Sequence, residues 1–125
     1  MKRNRLATAL ILMAMATLVL QSVVGEEPAE LRGEVVKIQD IVQNEPAFDG
    51  KMVVIEGNID TECPSGCWFI VNDQTASIYV DILPSNFVIP QKRGSKAKVY
   101  GKVTARDGDP MIIGKMVEIG GEIYQ

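Results

Sequence analysis

The sequence predicts an all-β domain, a small closed barrel of five strands preceded by a short helix. Segments rich in Val and Ile recur along residues 51–119, separated by turn residues, and their apolar positions alternate with polar ones. Two of these segments contain a glycine, Gly57 and Gly114, where a strand of a small barrel has to bend. Because five short strands leave the edges of a flat sheet exposed, we expect them to close into a barrel.

The first 25 residues are predicted to be a secretory signal peptide or a membrane anchor. Lys2, Arg3 and Arg5 precede an uncharged apolar run over residues 6–20, and small residues before Glu26 fit a cleavage site. Without cleavage, residues 6–24 are just long enough to span a bilayer. Both alternatives place the rest of the chain outside the cytoplasm, whether secreted, periplasmic or anchored facing outward, since the positive end stays inside.

The rest of the chain divides into a polar linker, residues 26–34, and one domain, residues 35–125. Residues 26–125 contain ten basic and sixteen acidic residues, a net charge of −6 against −3 for the whole chain. The sequence contains no histidine, which excludes Ser-His-Asp and Cys-His catalysis and His-containing zinc sites. It also contains no phosphate-binding loop, nucleophile elbow or dinucleotide motif. These exclusions favour a binding module over an enzyme.

Each element of the barrel is predicted from its local pattern. Asp40 is expected to cap the lead-in helix, with an apolar helical face following it. The five strands are expected at residues 51–59, 68–72, 77–83, 96–103 and 111–119. Residues 84–94, with Pro84 and Pro90, are expected to form a loop, and residues 106–110 a tight turn.

Several segments resemble a known family. They are DIVQNEPAFDGKMVVIEGNI up to the end of the first strand, CPSGCWFIVND around the second, IYVDI in the third and GSKAKVYGKV in the fourth. Over residues 39–123 the chain is similar to the exported OB-fold domains of bacteria and archaea and to anticodon-binding-type OB domains. The resemblance implies a five-stranded OB-fold barrel that serves as a binding or interaction module. In place of the family's helix between strands three and four the chain has a loop, so we expect Phe87 and the lead-in helix to close that end of the barrel.

Both cysteines lie in one short segment, CPSGC. Its Pro and Gly favour a type I turn, which brings the turn ends within about 7 Å, near the range of a disulfide. We therefore expect Cys63 and Cys67 to form a structural disulfide in an oxidising compartment. Two alternatives stay open. The thiolates could capture a soft metal such as Cu(I), helped by Glu62 or a methionine, or they could exchange with other thiols, although C-x-x-x-C is not the thioredoxin-like spacing.

A basic stripe runs along the fourth strand and the residues before it. Its members are Lys92, Arg93, Lys96, Lys98, Lys102 and Arg106. They give a charge of +6 within 15 residues that contain no acid, and the rest of residues 26–125 carries −12. Three of the lysines share the outer strand face with Tyr100, an arrangement typical of OB folds that hold single nucleic-acid strands. We nevertheless expect mainly a solvated face whose lysines pair with Glu56 or Glu118 on the flanking strands, and an anionic partner, a membrane surface or nucleic acid are the alternatives.

The expected ligand surface combines the second and third strands with the Cys63–Cys67 loop and the Arg106–Pro110 turn that flank them, and the basic stripe could extend it. Trp68 begins the second strand and is expected in the core, with stacking on a ligand as the alternative, whereas Tyr79 points away from the buried face of the third strand and is expected to be exposed. The candidate ligand-binding residues are Trp68, Tyr79, Lys96, Lys98, Tyr100, Lys102 and Arg106. We expect no cofactor and no metal, and as partner an anionic ligand or a protein, with nucleic acid disfavoured by export. The alternative function is a cell-envelope protein that handles metals or thiols through its two cysteines.

Overall fold

The alternating Val and Ile segments form strands that follow two short helices. The computed structural model describes residues 27–125, so the signal peptide or anchor predicted for residues 1–25 lies outside the described residues. The elements are α1 (Ile38–Gln43), α2 (Glu45–Phe48), β1 (Met52–Glu62), β2 (Trp68–Asn72), β3 (Ser77–Asp81), β4 (Lys96–Arg106), β5 (Asp109–Ile119) and β6 (Glu122–Tyr124), with 3-10 turns at Ala29–Arg32 and Leu83–Ser85. Among residues 27–125 no helix has the length and apolar character needed to cross a membrane.

Five strands close into a barrel. β1 pairs antiparallel with β2 on one side and with β4 on the other, while β2 continues to β3 and β4 to β5. A short parallel pairing of β3 with β5 completes the ring. The predicted five-stranded closed barrel with a lead-in helix is therefore confirmed. β6, which the sequence pattern did not predict, folds back on the end of β5 through two glycines with positive φ, Gly120 and Gly121.

The core of the barrel consists almost entirely of aliphatic side chains that point inward from alternate strand positions. Each barrel strand contributes at least one fully buried residue, for example Ile55, Phe69, Val80, Val99 and Ile112. In β4 the inward positions are Ala97, Val99, Gly101 and Val103, as the alternation predicts. Because successive strand residues face opposite sides, the same register fixes which side chains reach the outer surface.

Both glycines predicted to lie at bends are points of close approach. A Cβ at Gly57 would lie 2.5 Å from the carbonyl oxygen of Asn72 in β2, and a Cβ at Gly114 would lie 2.8 Å from Cγ2 of Ile82. Just beyond Gly57, β1 has a bulge between Ile59 and Thr61 and then continues to Glu62, further than expected. Only a residue without a side chain lets the backbones approach this closely.

The lead-in helix α1 is capped from a distant part of the chain. The N–H of Ile38 donates to Oδ2 of Asp73 at 2.9 Å, and the N–H of Gln39 donates to Oγ1 of Thr75 at 3.1 Å. Asp40 lies within the first turn of the helix, and no side chain at the N-cap position accepts a hydrogen bond. The prediction that Asp40 caps α1 is therefore wrong, because the β2–β3 turn supplies the carboxylate instead.

Part of the segment expected to be a linker, residues 26–34, packs on the barrel. Leu31 in the 3-10 turn is fully buried. The carboxylate of Glu27 lies 2.9 Å from Nζ of Lys98 on β4. The polar composition of this segment predicts a linker, but its single leucine attaches it to the fold.

The connection between β3 and β4 contains one 3-10 turn and otherwise a loop, as predicted for residues 84–94. In this loop Ile89 is buried and donates its N–H to the carbonyl of Gly66, just before β2, at 3.1 Å, while Phe87 packs partly against the core. Helix α1 is bonded to Asp73, just after β2. The loop and the helix therefore lie at opposite ends of β2, and the expectation that Phe87 and the helix close the same end is wrong.

Candidate functional site

Trp68 and Tyr79 form a stacked pair on the outer face of β2 and β3. Their ring centroids lie 5.3 Å apart and the ring planes are inclined by 25°. In the antiparallel register Trp68 lies opposite Asp81 and Tyr79 opposite Ile70, while Phe69 between them points into the core. Both rings are half-buried. The structure thus brings together two of the predicted candidates, and it places Trp68 outside the core cluster, so the expectation that this ring lies in the core is wrong.

Arg106 reaches the same pair from the end of β4. Its guanidinium carbon lies 5.4 Å from the centroid of the Tyr79 ring, within the range of a cation–π contact. Its Nη2 lies 3.2 Å from Oδ2 of Asp81, whose other oxygen accepts the N–H of Leu83 at 3.0 Å. We call Trp68, Tyr79 and Arg106 the platform. Asp81 was not among the predicted site residues, although its place two residues after Tyr79 put it on the same outer face.

The turn between β4 and β5 forms one side of the platform. Asp107 and Gly108 have φ of 51° and 85°, as the two central residues of a hairpin turn require, which confirms the turn predicted at residues 106–110. The turn, together with Tyr79 and Met111, lines a shallow concavity of about 230 Å³. Because Asp107 and Asp109 lie beside Arg106 on this lining, carboxylates outnumber guanidinium groups there.

The phenol of Tyr79 stays protonated at neutral pH. Partial burial raises its pKa, and the negative charge of Asp81 adds to this effect. A hydrogen bond with Arg106 and the charge of the guanidinium oppose the shift without reversing it. The Tyr79 hydroxyl is thus a neutral group that can donate or accept a hydrogen bond beside a charged pair.

Cys63 begins a tight turn on the other side of the platform, and Cys67 directly follows this turn. The N–H of Gly66 donates to the carbonyl of Cys63 at 2.8 Å, which confirms the predicted turn. The two Sγ atoms lie 2.8 Å apart and both residues are free cysteines. A disulfide needs about 2.05 Å between its sulfurs. The structure therefore contains a dithiol where the sequence predicts a disulfide between Cys63 and Cys67.

The two thiols differ in acidity. The S–H of Cys67 donates to the sulfur of Cys63 and, with the backbone N–H groups of Cys67 and Ser65, lowers the pKa of Cys63 to about 7. The same hydrogen bond raises the pKa of Cys67, and burial and the charge of Cys63 act in the same direction. Cys63 is thus the residue that becomes a thiolate, and Cys67 is the residue that keeps its proton.

The soft-metal alternative gains no acidic third ligand in the described part of the chain. Among residues 27–125 no group of three or more Cys, Asp or Glu side chains gathers as a metal site would require. The Glu62 carboxylate accepts the backbone N–H groups of Lys92 at 3.0 Å and Arg93 at 2.8 Å. Glu62, one of the residues that the soft-metal alternative offered as a helper, thus orders the loop before β4.

The lysines of the basic stripe lie apart from the platform. Lys96, Lys98, Tyr100 and Lys102 share the outer face of β4, as the alternation predicts. However, β1 lies between β4 and the β2–β3 pair, and only Arg106, at the far end of β4, reaches the aromatic rings. The predicted set of ligand-binding residues therefore occupies two separate surfaces.

Two lysines of the stripe are engaged in ion pairs. Nζ of Lys96 lies 2.6 Å from Oε1 of Glu56 on β1, the partner that the sequence suggested for a solvated face. Nζ of Lys98 is paired with Glu27, and Lys98 stands opposite Glu118 of β5 in the sheet register. Acidic neighbours thus offset much of the positive charge that the sequence concentrates in this stripe.

The strand connections define the class of fold. A five-stranded closed barrel in which β1 pairs with both β2 and β4, and β3 closes on β5, is an OB fold. No protein-family model matches the chain. A search of curated proteins also gives no match.

Seventeen chains of solved structures match this one. One is the hypothetical protein YgiW from E. coli, at 21% identity over 70% of this chain and 90% of that chain, with a TM-score of 0.50. Another is asparaginyl-tRNA synthetase from Pyrococcus horikoshii, at 21% identity over 70% of this chain and 22% of the synthetase, with a TM-score of 0.58 for its complex with asparaginyl-adenylate. A second structure of that enzyme also gives a TM-score of 0.58. These similarities confirm the OB fold that the sequence resemblance implied.

Proposed function

We propose that residues 35–125 form a binding module and that its ligand lies across β2 and β3 on the platform. The observation that carries this proposal is the Trp68–Tyr79 stack with the Arg106 guanidinium over the Tyr79 ring. The cysteine turn flanks this face on one side and the Asp107–Gly108 turn on the other. OB folds bind their ligands on this strand face and these two loops.

The platform is ordered before any ligand arrives. The two rings already stack on each other, and Asp81 already holds Arg106. Binding therefore costs less side-chain entropy than it would for flexible residues. Stacking of a planar group on an aromatic side chain contributes about 1–3 kcal/mol in comparable sites.

The charges around the platform favour a protein ligand over a nucleic acid. Arg106 is accompanied by three carboxylates, those of Asp81, Asp107 and Asp109. A phosphate backbone would be repelled by this surplus of negative charge, whereas a peptide with basic and aromatic side chains would be attracted. We therefore propose a partner protein that presents such a segment.

Fluorescence of Trp68, the single tryptophan of the chain, tests the proposal. The probes are a peptide of alternating Arg and Phe, its counterpart of alternating Glu and Phe, and a single-stranded oligo-dT. The basic peptide should change the Trp68 emission and the other two should not. The variant Tyr79→Ala should lose the response, and Tyr124→Ala, which removes a tyrosine from β6, should keep it.

Two results would contradict the proposal in different ways. Peptide binding that survives Tyr79→Ala would place the site elsewhere on the barrel. Binding of oligo-dT that weakens steeply with salt and disappears in Tyr79→Ala would assign the platform to nucleic acid. Lack of response to all three probes would overturn the assignment to a basic peptide segment.

We also propose that the module works outside the cytoplasm. Support comes from the basic start and apolar run of residues 1–25. Mass spectrometry of the full chain expressed in a bacterial host should find a product that begins near Glu26 in the exported fraction. A full-length product in the membrane fraction would select the anchor, and a full-length product in the cytosol would contradict export.

A further inference from the structure

The CPSGC turn holds two sulfur atoms in contact on the surface. The Sγ atoms of Cys63 and Cys67 lie 2.8 Å apart, so less than about 1 Å of movement separates the dithiol from a disulfide. Both residues are partly exposed, which gives an outside reagent access to the sulfurs. Buried structural cysteines are inert by comparison.

The backbone around this turn is held in place without any help from the sulfurs. The N–H of Cys63 donates to the carbonyl of Trp68 at 2.9 Å, and the N–H of Ile82 donates to the carbonyl of Cys67 at 3.1 Å. Nε2 of Gln91 donates to the carbonyl of Pro64 at 3.1 Å. Neighbouring segments therefore hold the backbone of the turn from several sides while the two cysteines are free.

We propose that Cys63 and Cys67 are a reversible dithiol–disulfide site whose substrate is an exposed disulfide bond. The Cys63 thiolate attacks one sulfur of the substrate, its S–S bond breaks, and the first thiolate leaves. The Cys67 thiol then loses its proton and attacks Cys63, which releases the second thiolate as the internal disulfide forms. The two cysteines are oxidised by two electrons, the substrate is reduced to two thiols, and the reverse sequence restores the dithiol. This activity is separate from the proposed ligand binding.

The difference in acidity between the two thiols supports this order of attack. Cys63 has a pKa of about 7 and is the better attacking group at neutral pH. Cys67 has a raised pKa and holds the proton that Cys63 accepts as a hydrogen bond. The groups that act on this pair are Ser65, which donates to Cys63, and Asp81, which disfavours a second negative charge on Cys67.

The stoichiometry of reaction with an aromatic disulfide, 5,5′-dithiobis(2-nitrobenzoate), tests the site. One equivalent of reagent added to the reduced full chain should release two thionitrobenzoate anions and leave an unlabelled protein about two daltons lighter. A wild-type chain that instead keeps one nitrobenzoate group would overturn the proposal, since Cys67 would then not resolve the mixed disulfide.

Variants of each cysteine test the two roles. Cys67→Ser keeps a hydrogen-bond donor, so it should react quickly but release one anion and retain the label. Cys67→Ala removes the donor, and its rate at pH 7 should fall about fivefold because the gain in intrinsic nucleophilicity only partly offsets the loss of thiolate. Cys63→Ser should also react more slowly than Cys67→Ser. Equal rates for Cys63→Ser and Cys67→Ser would contradict the assignment of Cys63 as the attacking thiol.

A small-molecule disulfide and a protein disulfide are the two possible sources of substrate, and separate probes distinguish them. Oxidised glutathione serves as the small-molecule probe and insulin as the protein probe, both at pH 7 with the reduced full chain. Formation of the internal disulfide with either probe supports the site and identifies the class of donor. If neither probe oxidises the cysteines, or if reduced glutathione opens the disulfide only after unfolding detected by circular dichroism, the site is not reversible and the proposal fails.

Discussion

At Gly57 β1 closely approaches β2, and substitution of this residue tests the barrel geometry. In Gly57→Ala the new Cβ would lie 2.5 Å from the carbonyl oxygen of Asn72, so the two backbones would have to separate. We expect the free energy of unfolding to fall by about 1–3 kcal/mol, as for other overpacked sites. Urea denaturation followed by Trp68 fluorescence measures the change.

Gly33→Ala is the matched control for this substitution. A Cβ at Gly33 would meet only Cγ2 of Val54, at the ordinary contact distance of 3.4 Å, and its φ of −63° suits any residue. The control should change stability by less than about 0.5 kcal/mol. Equal stability of the two variants would contradict the close approach of β1 and β2 at Gly57.

The acidity of Cys63 makes its reactivity depend on pH in the neutral range. Because the thiolate is the reactive form, the rate of alkylation by iodoacetamide should rise with pH and reach half its maximum near pH 7. In Cys67→Ala the hydrogen bond is lost and the midpoint should move up toward about 8.5. Peptide mass spectrometry identifies the alkylated residue, and a wild-type midpoint at or above that of the variant would contradict the contact between the sulfurs.

At the scale of the elements, the cap of α1 can be tested by comparing how much Asp73 and Asp40 contribute to stability. Asp73 accepts the N–H of Ile38 and also orders its own turn through Thr75 and Ala76. Asp73→Ala should lower the free energy of unfolding by about 1–3 kcal/mol. Asp40→Ala, the control at the position that the sequence favoured, should cost no more than a few tenths of a kcal/mol. Thermal and urea unfolding of both variants at pH 7 would reveal the opposite order if Asp40 were the cap.

The same carboxylate gives a pH dependence with a defined sign. Burial tends to raise the pKa of Asp73, but hydrogen bonds from the N–H of Ile38 and from Thr75 and Ala76 outweigh it and lower the pKa below its ordinary value. The contribution of this group to stability is therefore complete above about pH 4 and is lost as the pH falls through the lower folded-state pKa. The stability gap between wild type and Asp73→Ala should accordingly narrow in acid, and a gap that widened would contradict the assignment.

The 3-10 turn before α1 belongs to the cooperative fold, which a leucine pair can test. Leu31 is completely buried, so Leu31→Ala should cost about 2–5 kcal/mol through lost burial and the cavity left behind. Leu83→Ala, at a side chain with 64% exposure, is the control and should cost less than about 0.5 kcal/mol. A similar small loss in both variants would mean that residues 27–33 are a linker after all.

The local sequence pattern was enough to predict the strands, but it could not predict contacts between residues that are distant in the sequence. The alternation in β4 and the Asp-Gly turn after it have their causes within a few neighbouring residues, and both were predicted. By contrast, the cap that Asp73 provides spans 35 residues and the Lys98–Glu27 pair spans 71. Such partners become neighbours only after the barrel closes. Local propensities therefore predicted the nearer Asp40 as the cap of α1.

The candidate site shows the same division. Trp68, Tyr79 and the turn that begins at Arg106 were predicted to share one surface, and the sequence could also place Asp81 beside Tyr79. It could not place Arg106 over the Tyr79 ring, because that contact depends on the parallel pairing of β3 with β5. The predicted site also included the β4 lysines, because their charge alone does not reveal that acids from other segments lie beside Lys96 and Lys98.

At the scale of the whole molecule, the barrel is closed by its shortest strand pairing. We call this pairing of β3 with β5 the seam. β3 and β5 pair only over Tyr79–Asp81 and Met111–Ile113, and the Arg106–Asp81 ion pair connects the β4–β5 hairpin to the same part of β3. Arg106→Ala should therefore speed amide exchange of residues 79–81 and 111–113 several-fold, because local opening becomes easier. Global stability should fall by less than about 1 kcal/mol, as expected for an exposed ion pair.

Lys96→Ala is the matched control for the seam, because it removes another exposed ion pair, with Glu56, at a distance from β3. It should leave exchange at the seam unchanged. Hydrogen–deuterium exchange with peptide-level mass spectrometry compares the two variants. Equal exchange at the seam in Arg106→Ala and wild type would show that Arg106 does not hold the barrel closed.

The hydrogen bonds that fix the CPSGC turn from outside also limit how its oxidation state could be communicated. A turn that keeps its shape in both states stores two electrons without sending a conformational signal through the barrel. Any partner that senses the stored electrons must therefore touch the sulfurs themselves or the adjoining Trp68 ring. The domain would then hold a redox state that a partner detects only by direct contact with the cysteines or with Trp68, and that a site on the opposite side of the molecule does not sense.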